Sequence, residues 1–98
     1  MNSDPEKAAI EIETALSSRG KLKILRLLMK KHNHAFTRYE IKKKTPLSSR
    51  DIKSDLQILV KVGWINQLNV QHIQKYSINL NNNVTNEFFN FFKKIRYV

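Results

Sequence analysis

Five polar side chains that can bond to base edges or phosphates recur between positions 50 and 61: Arg50, Lys53, Ser54, Gln57 and Lys61. If residues 49–62 form a helix, these five fall within an arc of about 100°, which we call the polar strip. The side of that helix expected to face a core is apolar, with Ile52, Leu56, Leu59 and Val60. Asp51 and Asp55 fall outside the polar strip, so acidic and basic groups are sorted onto different sides.

The composition of the polar strip suits contact with nucleic acid. Arginine and lysine can bond to guanine in the major groove, glutamine to adenine, and serine to a base or a phosphate. These residue types predict a helix that inserts into the major groove. The alternative is a solvated face. Asp51 in particular has a sufficient structural reason to be present, because the helix dipole favours an acid near the N-terminus.

The charge of the whole chain favours a polyanionic partner. The 98 residues carry a formal net charge of +10, although four of the eight acidic residues lie within the first 13 positions. The remaining 85 residues hold 17 basic and four acidic side chains. A body this basic indicates binding to a polyanion, most simply nucleic acid.

Other classes of function have little support in the sequence. Cysteine is absent and only two glycines occur, which excludes thiolate chemistry and a phosphate-binding P-loop. No serine–histidine–acid spacing or pair of carboxylates indicates catalysis, so we predict that the protein is not an enzyme and uses no cofactor. His32 and His34 form an H-x-H pair, but two histidines make an incomplete metal site. We therefore predict no metal.

No segment has the composition of a membrane element. The apolar runs are much shorter than the roughly 20 residues of a membrane-spanning helix, and the first residues lack the basic and apolar regions of a signal peptide. We expect no membrane partner and a cytoplasmic, nucleoid-associated protein.

The first half of the chain is predicted to be helical. Residues 4–18 form an N-terminal helix, with Ser3 or Asp4 as its cap and Pro5 in its first turn. The stretch KLKILRLLMKK, residues 21–31, is apolar on nearly all sides, which is typical of a central, mostly buried helix.

Two shorter signals place the helices around the polar strip. Thr37 and Glu40 have the spacing of a capping box, which predicts the start of a short helix. Ser48 or Ser49 can cap the helix of the polar strip, and Gly63 is a suitable residue to end it.

The remainder of the chain changes to a β pattern and then returns to helix. Residues 64–70 and 73–80 are rich in β-branched and aromatic residues, and they predict a hairpin whose tip lacks the glycine that a tight turn prefers. A very short strand is expected at Ala35 and Phe36. Trp64 is expected in the core, and residues 83–98 form a last helix.

This order of elements resembles the winged helix-turn-helix, most closely that of ArsR-type transcriptional regulators, with MarR-like and archaeal small regulators next. The stretch LKILRLL resembles the second helix of these proteins. TRYEIKKKTPLSSRDIKSDLQILVKVGWI resembles their helix-turn-helix with the L..L...G pattern that leads into the wing, and KYSIN resembles the returning wing strand. The resemblance covers roughly residues 14–80.

The resemblance implies a mainly α fold with a small β-hairpin wing, of α+β class, in one domain over residues 1–98. Its winged helix-turn-helix core spans 20–80, between the N-terminal helix and a C-terminal dimerisation helix. Residues 49–62 would then be the recognition helix, with the wing, 64–80, at the DNA backbone or minor groove. The cysteine-based sensing sites of some ArsR relatives are impossible here.

Further contacts with double-stranded DNA are predicted around the recognition helix, at Arg38, Lys42, Lys43, Lys44, Ser48, Ser49, His72 and Lys75. The three lysines also have a structural explanation, because cations are favoured at the C-terminus of a helix. Tyr39 is either a phosphate donor or a half-buried packing residue.

A homodimer is predicted from the terminal helices. In the last helix an apolar stripe suffices to cover the core: Val84, Phe88, Phe91, Phe92, Ile95 and Val98. Phe89 lies about 60° beyond this stripe and Tyr97 on the opposite side, which widens the aromatic surface as an interface would. The alternative is that a small domain buries the helix more deeply. The predicted dimerisation residues are Ile10, Phe88, Phe89, Phe92 and Tyr97.

Three functions compete at this point. The first is a sequence-specific transcription regulator, the second an architectural DNA-binding protein without a defined operator, and the third a winged helix used for protein–protein contact. Ser54 and Gln57 favour the first over the second, because lysines alone would serve phosphates. The sorted charges of the polar strip count against the third.

Overall fold

Residues 5–98 are described by the computed structural model, and they fold into five helices and one antiparallel hairpin. In chain order these are α1 (Pro5–Ala15), α2 (Arg19–Lys30), α3 (Arg38–Lys44), α4 (Ser49–Lys61), β1 (Ile65–Val70), β2 (Ile73–Ile78) and α5 (Asn83–Lys94). The predicted mainly α class with a small hairpin is confirmed. None of these helices is long and apolar enough to cross a membrane.

Polar caps fix where four of the helices begin. The side chains of four residues each accept a hydrogen bond from the backbone N–H three positions later: Ser18, Thr37, Ser48 and Asn82. The predicted capping box is complete, because the backbone N–H of Thr37 also donates to Glu40 Oε1 at 2.9 Å. Gly63 ends the helical path after α4 with φ 84°, a conformation that glycine adopts at little cost.

The N-terminal helix ends three residues earlier than the predicted range 4–18. It ends at Ala15, because Ser17 Oγ donates to the carbonyl of Thr14 at 2.9 Å and the next serine already caps α2. The proposed caps Ser3 and Asp4 lie outside the described residues.

The core is built around α2, which contacts α3, α4 and β2. Ile24, Leu25 and Leu28 of α2 are buried. Trp64, which follows α4, is fully buried at 0% exposure, as predicted. Its indole N–H donates to Glu11 Oε2 at 2.8 Å, so the one polar atom of this side chain is satisfied.

The hairpin forms within the two predicted stretches. Its register places Ile65 opposite Ile78 and Val70 opposite Ile73. Its two-residue tip contains Gln71 and His72 at φ 51° and 68°. Two successive positive φ angles match a type I′ turn, which suits the twist of a hairpin even though glycine or asparagine is the usual choice. The short strand expected near Phe36 is present as a bridge between Phe36 and Tyr76.

The last helix is rotated relative to the predicted stripe. Phe89, which we expected beyond the core side, is buried at 6% exposure, whereas Phe91 and Ile95 are exposed at 51% and 53%. Measured to Thr85, the core direction is therefore about 80° from the centre of the predicted stripe. The centre of the buried side is Thr85, which is fully buried, one helical turn before Phe89. Because threonine is polar, the hydrophobic pattern of the sequence does not indicate that this side faces the core.

The end of the chain also differs from the prediction of one helix over 83–98. Helix α5 ends at Lys94, and Arg96 has φ 65°, which reverses the backbone. The ring of Tyr97 then packs edge-on against Phe92, with centroids 5.0 Å apart. Tyr97 therefore lies beyond the end of α5, and the helical position on which its dimerisation role was predicted is not the observed one.

Candidate nucleic-acid interface

The polar strip lies on the outer face of α4. All five of its members are exposed, while Ile52, Leu56 and Leu59 on the inner side are buried. The helix starts at Ser49 because Ser48 Oγ accepts the backbone N–H of Asp51 at 3.1 Å. The strip is thus a solvent-facing surface on a helix that the core holds in place.

The acids of α4 are separated from the polar strip for two structural reasons. Asp51 occupies the first turn of the helix, where the dipole favours it. Asp55 faces inward, 3.7 Å from Lys21 Nζ, with side-chain exposures of 13% and 8%. The same ammonium donates to Ser17 Oγ at 3.1 Å. Burial raises the pKa of Asp55, and the charge of Lys21 partly opposes that rise.

Gly20, in the first turn of α2, lies at this junction. A Cβ atom at Gly20 would collide with the carboxylate of Asp55 and also approach Leu47. The start of α2 therefore lies close to α4, and a larger residue at position 20 would require the carboxylate of Asp55 to move. Spacing alone offered no signal for the pair Lys21 and Asp55, since 34 residues separate them.

A shallow cleft lies between α3 and the start of α4. It is lined by Arg38, Tyr39, Lys42, Ser49 and Ile52. Two basic side chains and a hydroxyl thus meet beside the polar strip, in a position suited to a phosphate. Tyr39 is exposed rather than half-buried, and the ammonium of Lys43 lies 5.4 Å from the centre of its ring.

The three successive lysines of α3 do not share one surface. Lys42 lines the cleft toward α4, whereas Lys44 lines a second groove, toward α2. We call the latter the α2 groove. Its lining is formed by Lys23, Arg26, Leu27, Lys30, Lys44, Thr45 and Pro46. The structure therefore separates Lys44 from the other predicted contacts of α3.

The wing places its two predicted contacts differently. His72 lies exposed at the tip of the hairpin. Lys75 is only partly exposed and lies close enough to Glu40 to act on it. The backbone N–H of Thr37 lowers the pKa of Glu40 most, and His34 and Lys75 lower it further.

The tip of the wing is apolar more than basic. Leu68, Val70 and Ile73 are all exposed, and the pairing register puts them on one face of the hairpin together with Lys75. None of these three apolar residues is among the predicted contacts of the wing, which were His72 and Lys75.

A polar network joins the terminal helices to the base of the wing. Glu11 Oε2 accepts hydrogen bonds from the indole of Trp64 at 2.8 Å and from Asn82 Nδ2 at 3.0 Å. Asn79 Nδ2 in turn donates to the carbonyl of Gly63 at 2.8 Å. Because Glu11 belongs to α1 and Asn82 caps α5, this network fixes both helices against the end of α4.

The predicted dimerisation residues are divided by the structure. Ile10 is exposed at 63%, and Phe88 and Phe92 are partly buried against the core. The prediction for Phe89 is wrong in its premise, because a side chain already buried in its own chain offers no surface to a second copy. Phe91 supplies the exposed aromatic area instead.

Neither histidine of the H-x-H pair is near a set of metal ligands. Within residues 5–98 no group of three or more histidine, cysteine, aspartate or glutamate side chains is placed to hold a metal ion. His34 stacks edge-on against Phe36 at 4.4 Å between centroids, and His32 contacts the ring of Phe89 at 5.2 Å.

Comparison with solved structures identifies the fold. HlyU from Vibrio cholerae N16961 superposes with a TM-score of 0.77 at 17% identity, over 97% of each chain. A homodimeric winged helix-turn-helix DNA-binding domain from Mycobacterium bovis, described as a possible ArsR-family transcriptional regulator, gives 0.69 at 20% identity, over 97% of this chain and 88% of that one. This chain has the winged helix-turn-helix fold.

An ArsR-like transcriptional regulator from Rhodococcus sp. RHA1 has the same winged helix-turn-helix fold, with a TM-score of 0.69 at 19% identity over 92% of this chain and 77% of that one. No protein-family model and no curated protein matches the sequence. The predicted resemblance to ArsR-type regulators is confirmed at the level of the fold. Two of these neighbours are described as an ArsR-like regulator and a possible ArsR-family regulator.

In the winged helix-turn-helix the elements acquire their usual roles. Helices α3 and α4 occupy the positions of the helix-turn-helix, and the hairpin β1–β2 occupies that of the wing. The polar strip, the cleft at Lys42 and the wing tip are thus the surfaces to be tested for contact with DNA.

Proposed function

We propose that this protein is a transcription regulator that binds duplex DNA as a homodimer. The recognition helix α4 enters the major groove, and the wing contacts the backbone or the minor groove. The polar strip carries the proposal. It offers five exposed side chains with base-bonding chemistry on one side of α4, while Asp55 is withdrawn into an ion pair.

The individual roles follow from position and chemistry. Arg50 and Gln57 are suited to base edges, since their side chains can form paired hydrogen bonds with guanine and adenine. Lys42 and Ser49, in the cleft between α3 and α4, are suited to a phosphate. His72 at the wing tip is suited to the minor groove or the backbone.

The homodimer is supported by exposed apolar area on the terminal helices. Phe91 on α5 and Ile95, one helical turn later, are both more than half exposed, and contiguous exposed apolar area often marks an interface. Ile10 on α1 is exposed as well. A two-fold dimer would set two recognition helices about 34 Å apart, which matches successive major grooves on one face of DNA.

A second candidate is an architectural DNA-binding protein. It is favoured by the basic side chains that lie away from the polar strip, in the α2 groove. Selection of bound sites from random duplex DNA separates the two candidates. A sharp, near-palindromic motif supports the regulator, a flat profile supports the architectural protein, and no binding rejects both.

Two solution measurements complete the test. If each protomer neutralises about five phosphates, the logarithm of the binding constant should fall against the logarithm of salt with a slope of about −4 to −5. Sedimentation equilibrium should give a dimer for the wild type and a monomer for Phe91→Glu, with Glu87→Gln on the same helix as the control. A slope near zero would reject DNA binding, and a monomeric wild type would reject the homodimer.

A further inference from the structure

A basic surface remains on α2 that the proposed recognition of DNA does not use. The α2 groove contains four cationic side chains, from Lys23, Arg26, Lys30 and Lys44, and no acidic residue lines it. The ion pairs Lys21–Asp55 and His34–Glu40 lie elsewhere. We infer that the α2 groove binds the phosphate backbone of a second DNA duplex, so that the protein holds two DNA segments together.

The groove faces away from the recognition helix. On the helical wheel of α2, Lys23, Arg26 and Lys30 lie about 140–200° from Lys21. Lys21 is the residue that α2 directs at α4, through its ion pair with Asp55. A straight duplex seated along the polar strip therefore lies on the other side of α2 from these three cations, and a separate duplex is the partner that reaches them.

Helix-dipole effects explain only part of this charge. Lys30 and Lys44 lie in the last turns of α2 and α3, where cations are favoured. Lys23 and Arg26 lie in the middle of α2 and gain nothing from that effect. Four neighbouring cations without an acid repel one another, and a row of phosphates is the partner that relieves this repulsion.

One of the cations is held in place for binding. Arg26 Nε donates to the carbonyl of Tyr97 at 2.8 Å, and its guanidinium lies 5.0 Å from the centre of the Tyr97 ring. The reversal of the chain at Arg96 brings Tyr97 to this position. The guanidinium is therefore oriented before any ligand arrives, which lowers the entropy lost on binding.

The inference rests on the proposed function, because the first duplex is held by α4. Two measurements on each protein keep the two claims apart. Fluorescence anisotropy with one short duplex reports binding through α4. Capture of a fluorescent duplex by bead-bound duplex, with protein added, reports bridging.

The test variant is Lys23→Gln/Lys30→Gln, which removes two charges, shortens each side chain by one atom and keeps helix propensity. Its matched control is Lys31→Gln/Lys93→Gln, which removes the same charge from exposed positions outside the groove. We expect the test variant to keep its affinity for the single duplex within about twofold. Its capture of the second duplex should fall on the order of tenfold or more, because two phosphate contacts and the counterion release that accompanies them are lost. The control should behave as the wild type in both assays.

Four outcomes would overturn the inference. Wild-type protein that binds one duplex but captures no second one removes it and leaves the proposed function intact. Bridging that survives in the test variant assigns it to the two recognition helices of a dimer. An equal loss in both assays places the groove on the first duplex. Capture of poly-glutamate in place of the second duplex assigns the groove to an acidic protein partner.

Discussion

The outer faces of α4 and α5 are both open to solvent, yet only that of α5 exposes a large aromatic side chain. The outer face of α4 is polar and basic. Asp55, on the inner side of the same helix, forms an ion pair with Lys21. The outer face of α5 exposes Phe91, and Ile95 follows it at the helix end. Solvation alone requires neither arrangement, because a merely solvated helix mixes charges of both signs and avoids large apolar side chains.

Each face is therefore suited to a different partner: the face of α4 binds through electrostatic attraction, and the face of α5 binds through burial of apolar surface. A basic face stays hydrated without penalty until a polyanion arrives, and its binding then weakens steeply with salt. An exposed aromatic ring gains about 25 cal/mol for each Å² that a second protein covers, with little dependence on salt. Substitutions on the two helices should therefore affect different measurements, and the predictions below are ordered from the largest expected effect.

The largest effect should come from the inner side of α5. Because Phe89 is buried and in contact with His32 and Lys93, Phe89→Ala should lower the free energy of unfolding by about 3–5 kcal/mol. Phe91→Ala is the matched control and should change the stability of the protomer by no more than about 0.5 kcal/mol. Urea unfolding at low protein concentration measures both.

An equal loss of stability in the two variants would mean that α5 docks in the orientation of the periodic stripe, with Phe91 inward. The regular spacing of that stripe is why the sequence predicted the wrong side of α5 for the core. Phenylalanines at 88, 89, 91 and 92 spread over an arc of about 160°, so periodicity left the core direction open. The decision rests on tertiary contacts of Thr85 and Phe89, which no local pattern contains.

The next effect concerns the inner side of α4. Lys21→Met keeps most of the packing but leaves the carboxylate of Asp55 without its cation, and the free energy of unfolding at neutral pH should fall by about 2–3 kcal/mol. Lys53→Met, on the outer side, should leave stability unchanged and weaken DNA binding. Chemical unfolding and anisotropy separate the two results.

The loss in Lys21→Met should shrink in acid. Burial already raises the pKa of Asp55 above that of the unfolded chain, and removal of Lys21 raises it further. The folded variant then takes up a proton that the unfolded chain does not, so its stability increases relative to the wild type as pH falls through the folded pKa of Asp55. A deficit that is constant from neutral to acid pH would contradict the ion pair.

The site around α4 was more accessible to sequence reasoning than α5. The core residues of α4 are spaced regularly, Ser48 and Gly63 mark its ends, and the charged residues differ clearly from the apolar ones, so the wheel placed the polar strip correctly. The pairing of Asp55 with Lys21 and the separation of Lys44 from Lys42 were not predictable. Both depend on how α2 crosses the helix-turn-helix, which is a long-range property.

A smaller effect is expected for single contacts of the polar strip. Gln57→Ala should cost about 1–3 kcal/mol on the selected site and relax the preference at one base pair. Lys42→Ala, in the cleft, should weaken all sequences alike and make the salt slope shallower by about one. Equal loss for Gln57→Ala on selected and random DNA would count against direct contact with a base there.

The smallest effect should come from the capping box of α3, through Glu40. Its pKa is lowered chiefly by the backbone N–H of Thr37, with further contributions from His34 and Lys75. Because the folded pKa lies below the unfolded one, the stabilisation is present above the unfolded pKa and is lost as pH falls through the folded pKa.

Glu40→Gln keeps the hydrogen-bonding pattern of a capping box but removes the charge. We expect the variant to be less stable than the wild type at neutral pH by about 0.5 kcal/mol, a modest value because the side chain is solvent-accessible. The difference should shrink as pH falls through the folded pKa of Glu40 and vanish below it. Glu87→Gln on α5 is the control for loss of a negative charge, and urea unfolding at several pH values measures all three proteins. A Glu40→Gln deficit that persists unchanged in acid would show that the glutamate acts by packing rather than by its charge at the start of the helix-turn-helix.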